Sequence, residues 1–254
     1  MAAKSEYIYG YWPVIEALKA NRRKMERLLL YDKADERGSI GEMLQIAATR
    51  EVPVQRVPRQ ILDDLAGGGN HQNAILRTQP YAYVHVDDML ALAEKRGERP
   101  FLLLLDLLQD PQNVGSLMRV ADAVGVHGII LQDRRAVGVT PAVCAASSGA
   151  VEHLHVAQVT NLVNAMRDLK ERDVWMIGLD IGDDLLPIDK TKLDMAIGLV
   201  LGGEGDGLRR LVRETCDLLL TLPMRGRVAS LNVATVGSVA LYAAWQARGW
   251  TGWR

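Results

Sequence analysis

Residues 101–132 read FLLLLDLLQDPQNVGSLMRVADAVGVHGIILQ, and this stretch decides the fold. Positions 101–105 are all apolar, and a strand without a polar face is one covered on both faces. A Pro-bearing turn follows, in which Asn113 can cap the next helix. Residues 114–124 carry apolar side chains at helical spacing, and 128–131 form a second apolar strand. Strand, helix and strand within about thirty residues make a parallel crossover unit.

The alternation continues in both directions. Strands are expected at 153–156, 174–179, 196–201 and 218–222. Helices are expected at 141–146, 162–171, 208–216 and 231–248, the last ending before Gly249. Residues 99–254 therefore read as an α/β domain on a parallel sheet. Residues 1–84 read as a smaller α/β unit. In it, Pro13 opens a helix with Val14, Ile15 and Leu18 on one face, and strands fall at 28–31, 52–57 and 74–76. Ser39 and Glu42 have the spacing of a capping box. The polar, charge-rich residues 85–98 are expected to link the two domains.

The 254 residues are 48% hydrophobic, enough for a sizeable core, and 30 Lys+Arg against 31 Asp+Glu leave a net charge of -1. That balance excludes a polybasic coat but not a local basic face. With 5% aromatics and one Phe, a broad stacking platform for single strands is not expected. No apolar run approaches the roughly 20 residues of a membrane span, and MAAKSEYIYG has no signal-peptide core. Two cysteines, Cys144 and Cys216, give neither a disulfide framework nor a zinc spacing. Both fall within helical patterns and read as buried. His153 and His155 alternate along an expected strand but have no third ligand at a suitable spacing.

Ligands of open α/β sheets bind beyond the carboxyl ends of strands, and three such ends are unusual. The first is DLLQDPQNVGSLMR at 106–119. The second is LVLGGEGDGL at 199–208, whose glycines let backbone approach a ligand; it lacks the GxGxxG spacing, and its acidic residues would repel phosphate. The third is LPMRGRVASLNV at 222–233, where Ser230 is placed to cap the last helix and Asn232 falls in its first turn. Read singly, each also fits a bland account: a plain strand–turn–helix joint, a Gly-rich turn with a solvated Glu, a capped terminal helix.

Together, in this order and spacing, DPQNVGSLMR, LVLGGEGDGL and LPMRGRVASLNV resemble the three motifs of the SpoU (TrmH-type) family of RNA ribose 2′-O-methyltransferases. The likeness covers 99–254, where SSGAVEH and VTNL are also in family style. YGYWPVIEALKAN and HQNAIL resemble the substrate-binding domain of longer members, a small α/β fold shared with certain ribosomal proteins. The nearest subgroup is the RlmB-like one, which methylates guanosine in 23S rRNA. Gln112 departs from the His of many members, and HQN at 71–73 from the commoner HQG.

The resemblance implies S-adenosylmethionine as methyl donor, an RNA substrate and a homodimer, beside the cytoplasmic, metal-independent protein without membrane association that composition and cysteine usage suggest. It also implies a deep C-terminal trefoil knot, against which ordinary topology rules count. Carried over by motif, the catalytic set is Asn113, Arg119, Glu204, Ser230 and Asn232. The donor-binding set is Gly178, Gly202, Leu222, Met224 and Leu231. Arg119 is placed at the reacting hydroxyl. A guanidinium keeps its protons, so its expected role is to hold the 2′-oxygen or a neighbouring phosphate and stabilise developing negative charge. Ser230 and Asn232 would orient Arg119 or the ribose; Asn113 and Glu204 would fix loops or bind the target nucleotide. Arg22, Arg23, Lys24 and Arg27 form one basic cluster, Arg225 and Arg227 another, the second favoured as RNA-facing. The alternatives are a tRNA ribose methyltransferase, an RNA-binding assembly factor without turnover, and a Rossmann oxidoreductase, whose glycine fingerprint is missing.

Overall fold

The computed structural model describes residues 5–182, 185–203, 207–227 and 230–253. They form two compact units. One comprises the described residues through Ala82 together with Val139–His153; the other comprises Tyr83–Gly138 and the described residues from Leu154 onward. The first unit begins β1 (Glu6–Tyr9), α1 (Tyr11–Ala20), β2 (Met25–Tyr31), α2 (Ser39–Thr49), β3 (Val54–Val57), α3 (Arg59–Ala66) and β4 (Ala74–Thr78). Its sheet runs β1-β4-β2-β3, with β2 parallel to β3 and β4 antiparallel to both neighbours. Pro13 sits in the first turn of α1, where a missing N–H costs nothing, and Val14, Ile15 and Leu18 are buried. The expected capping box at Ser39 does not form. Gly38 precedes the helix, and Glu42 instead accepts a hydrogen bond from the Tyr11 hydroxyl at 2.5 Å.

The chain continues through α4 (Val86–Arg96), β5 (Phe101–Asp106), α5 (Pro111–Ala123), β6 (Gly128–Gln132) and α6 (Pro141–Ala146), the last of which belongs to the first unit. Then come β7 (Val156–Val159), α7 (Leu162–Lys170), β8 (Trp175–Leu179), β9 (Leu186–Pro187), β10 (Ile197–Gly202), α8 (Arg210–Thr215), β11 (Leu218–Thr221) and α9 (Val233–Ala247). Seven strands form one wholly parallel sheet in the order β7-β6-β5-β10-β8-β11-β9. Every residue of β5, β6 and β10 is buried, as expected of strands covered on both faces.

Residues 85–98, expected as a linker, are largely α4, a helix of the second unit. Its polar composition hides two buried residues, Met89 and Ala93. Met89 packs with Leu102, Leu104 and Ile130. Gly128 makes room for it, since a Cβ there would collide with the Met89 side chain. Two apolar positions suffice to dock a helix when the facing strand offers a gap, and too few apolar residues marked that face to show in the sequence.

Residues 139–153, expected within the larger domain, complete the first unit. Thr140 caps α6 by accepting the Val143 N–H at 3.3 Å. Arg23, from the basic cluster, is only 5% exposed. It donates to Glu152 through Nε and Nη2 at 3.0 and 2.8 Å and to Glu6 at 2.8 Å. Its charge is satisfied internally, while Lys24 and Arg27 remain exposed. Burial pushes the adjoining Cys144 thiol up, which leaves it inert. His153 lies in a 3-10 turn (Ala150–His153), not a strand, and its Nε2 is 2.7 Å from Glu16.

At the carboxyl end of β5, buried Asp106 sits opposite Gly202 in register. Its carboxylate accepts the Arg209 backbone N–H at 3.0 Å and Arg209 Nε at 2.8 Å. Gln132 Oε1, at the end of β6, accepts from Arg209 Nη2 and from the Leu107 N–H, at 3.3 and 3.2 Å. Removing Arg209 would leave the buried Asp106 carboxylate uncompensated, whereas removing Asp106 leaves a guanidinium that water already reaches. Arg209→Ala is expected to cost about 3 kcal/mol and Asp106→Ala less, each seen as a lower urea midpoint at unchanged slope. Unchanged midpoints would remove the pair from this account.

Candidate active site

The loops after β8, β10 and β11 and the start of α9 enclose a cavity of about 380 Å3, within the range of small-molecule sites, about 300–1,000 Å3. Leu179, Asp180 and Ile181 come from the end of β8, Leu201, Gly203 and Gly207 from the β10 end, and Thr221, Leu222 and Met224 from the β11 end. Ser230, Leu231, Asn232, Val233 and Val236 close it from α9 and its approach. Ile181, Met224 and Leu231 are 65%, 41% and 42% exposed. Large apolar side chains left open around a concavity mark a ligand groove.

The glycine turn shapes one wall. A Cβ on Gly202 would collide with the backbone of Gly207 and Leu208, so the chain can fold back over the end of β10 only there. Gly207 has φ of 63°, a left-handed conformation suited to glycine, and its N–H donates to Gly203 O at 3.2 Å.

The first and third motifs meet through side-chain amides. Asn232, rather than Ser230, is the N-cap of α9: its Oδ1 accepts the N–H groups of Ala234 and Thr235 at 2.8 and 3.3 Å. Its Nδ2 donates to Asn113 Oδ1 at 2.9 Å. Asn113 in turn is not the cap of α5. Asp110 holds that position, accepting from the N–H groups of Gln112 and Asn113 at 3.1 and 3.3 Å. A further hydrogen bond from the Asn113 side chain, with these backbone bonds, holds the Asp110 carboxyl below its usual range. Carboxylate, amide, amide and helix N–H thus form one directed series, with each donor facing an acceptor.

Of the expected donor-binding residues, Leu222, Met224 and Leu231 line the cavity, and Gly178 and Gly202 do not. The open side of Gly178 is filled by Leu208, Leu219 and Cys216; burial there pushes the Cys216 thiol up to about 12. Of the expected catalytic set, Ser230 and Asn232 line the cavity and Asn113 touches it through Asn232. Arg119 is exposed on α5 and is not a lining residue. Glu204 lies outside the described residues. Sequence reading missed Asp106, Asp180, Arg209 and Arg213. A carboxylate ending an otherwise wholly apolar strand, as in FLLLLD and WMIGLD, was the available signal. Among the described residues, no cluster of three potential metal ligands occurs, and no helix is long and apolar enough to cross a membrane.

The SpoU rRNA Methylase family matches residues 100–242, and the family described as RNA 2′-O ribose methyltransferase substrate binding matches residues 7–84. A putative TrmH family tRNA/rRNA methyltransferase, YacO of Bacillus subtilis, is 40% identical over 98% of both chains. The 23S rRNA (guanosine-2′-O-)-methyltransferase RlmB of Vibrio cholerae is 38% identical over 94% of this chain and 96% of its own. The crystal structure of the SpoU methyltransferase AviRb from Streptomyces viridochromogenes, in complex with AdoMet, superposes with a TM-score of 0.81. It is 23% identical over 98% of this chain and 92% of that one, which establishes a shared fold. The chain belongs to the SpoU rRNA methylase family.

If the amide series couples the two motifs, Asn113→Ala and Asn232→Ala should be non-additive by about 1 kcal/mol in a double-mutant cycle of unfolding free energies. Asn232→Ala alone should cost about 1–2 kcal/mol through loss of the cap. Additivity within about 0.3 kcal/mol would mean that the amides do not communicate.

Proposed function

We propose that the protein transfers a methyl group from S-adenosylmethionine to a ribose 2′-hydroxyl of RNA, with a guanosine of 23S rRNA as target. The observation that carries this reading is the cavity at the strand ends, built by the second and third motifs of a family whose substrate-binding module precedes it in the chain. Its residues fit an adenosine-bearing donor. Leu179, Leu201, Leu222 and Val236 offer apolar walls, while Asp180, Ser230 and Asn232 offer polar groups, the mixture typical of cofactor sites. The donor, when bound, supplies a methyl group on a sulfonium centre.

The remaining work falls to the chain. The 2′-oxygen must be held near the methyl carbon, at about 3–3.5 Å, in line with the breaking bond. Arg119, exposed on α5, holds that oxygen or the adjacent phosphate and stabilises negative charge as it develops. Ser230 and Asn232 orient the ribose from the cavity wall, and Asn113 fixes Asn232. Glu204 enters this set by motif, as do Gly178 and Gly202 as donor-loop positions. Exposed Arg225 and Arg227 closely follow Met224 of the lining and offer charge to the RNA backbone. A trefoil knot is part of the proposal, implied by the family resemblance and consistent with the position of β10 between β5 and β8 in the sheet. So are a cytoplasmic location and a homodimer, the latter supported by Val239 and Tyr242, 45% and 44% exposed on α9.

Methyl transfer from labelled donor to total RNA lacking its own ribose methylations, followed by nucleoside mapping, tests the reading. Label in 2′-O-methylguanosine of 23S rRNA is expected; label in tRNA would replace the substrate, and donor binding without transfer would favour an assembly factor. Arg119→Ala should lower kcat by at least about 100-fold, as loss of a charge-stabilising donor does, with donor affinity by calorimetry unchanged. Full turnover would remove Arg119 from the mechanism. Light scattering at micromolar concentration should give twice the chain mass, and a fully active monomer would overturn the dimer.

A further inference from the structure

Asp180 has no part in the expected site, yet among the described residues it is the one ionisable side chain lining the cavity. It is the first residue past β8, and its N–H donates to Leu220 O of β11 at 3.0 Å, which ties its backbone to the sheet. Its side chain is fixed too. Arg213 Nε donates to Oδ2 at 2.7 Å and the Ile181 N–H to Oδ1 at 2.9 Å. A carboxylate oxygen has two lone-pair directions, so, counting partners among the described residues, each oxygen keeps one after these bonds are made. The side chain is 18% exposed, against 47% for Arg213, so the carboxylate is the inner member of the pair. Gly207 faces it, and a Cβ there would approach Oδ1 to 3.3 Å; glycine keeps that flank clear.

We infer that Asp180 is a recognition residue for the vicinal hydroxyls of the donor's ribose. The inference rests on the proposed donor site. A carboxylate already neutralised by a guanidinium has little net field with which to attract a sulfonium. It keeps its strength as an acceptor at short range, where O–H to carboxylate hydrogen bonds are among the strongest. The chemistry that fits is a nucleoside with free 2′ and 3′ hydroxyls, discriminated from its deoxy forms. Arg213 positions the carboxylate from α8 and does not itself line the cavity.

Calorimetric binding of S-adenosylhomocysteine and of its 2′,3′-dideoxy analogue, to wild-type protein and to Asp180 variants, tests this directly. Wild-type protein is expected to prefer the hydroxyl-bearing ligand by about tenfold or more. Asp180→Ala should abolish that preference while leaving affinity for the dideoxy analogue unchanged, and Asp180→Asn, which retains an acceptor oxygen, should restore part of it. Equal loss of affinity for both ligands would make Asp180 a structural wall residue and overturn the inference. So would a preference that survives Asp180→Ala or is missing in the wild type. Failure of wild-type protein to bind either ligand would instead overturn the donor-site reading, and this inference with it.

Discussion

The buried Asp106 carboxylate and the Arg209 that meets it set the geometry on which the site depends. β5 is the neighbour of β10 at the middle of the parallel sheet, and Asp106 lies opposite Gly202, the last residue of β10. Beyond Gly202 the chain must fold back rather than run on, and Arg209 is held at the Asp106 carboxylate by both its backbone N–H and its guanidinium. Two anchors on one residue fix position and direction together. The exposed part of Arg209 keeps the desolvation cost of the pair moderate, since only the carboxylate is fully withdrawn from water. With that return point fixed, Gly203 and Gly207 become a wall instead of a free loop.

The opposite wall is fixed by hydrogen bonds rather than charge. Asn113 and Asn232 are separated by 119 positions in sequence, and each amide has both ends engaged: Asn113 between Asp110 and Asn232, Asn232 between Asn113 and the first N–H groups of α9. Partly satisfied polar groups in a packed region cost more than apolar ones. Turning either amide would oppose like groups, so the series selects one arrangement. It also sets where α9 begins, and with it where Ser230 and Leu231 face the cavity.

The parallel sheet was legible because its central strands are apolar throughout, a pattern that few other folds use. The local rules failed where two residues competed for one role. Asn113 and Ser230 both looked like caps, but Asp110 and Asn232 took those positions, and Asn113 was thereby released to bond across the fold. Helix α4 looked like a linker because its docking rests on Met89 and the gap at Gly128, a complement that only tertiary structure reveals. Arg23 was indistinguishable in sequence from its basic neighbours until Glu152, 129 positions away, supplied its partner. Of the cavity, the motif residues on the loop after β11 were legible. Asp180 was not, because its partner Arg213 lies on another element.

The division of charge explains how a chain with net charge -1 fits the proposed reaction. A uniformly basic surface would bind RNA tightly and without discrimination, since affinity for the phosphate backbone carries no sequence information. Here Arg23, Arg209 and Arg213 are engaged by internal carboxylates, while Arg225 and Arg227 stay exposed next to a lining residue, Met224. In the proposed reaction, positive charge would thus remain where a phosphate approaches with the ribose, and the charge of Arg213 would be cancelled beside the donor cavity. With Asp180 the one ionisable side chain among the described lining residues, and neutralised by Arg213, the proposed site would select its donor by shape and hydrogen bonding and leave RNA capture to the exposed arginines.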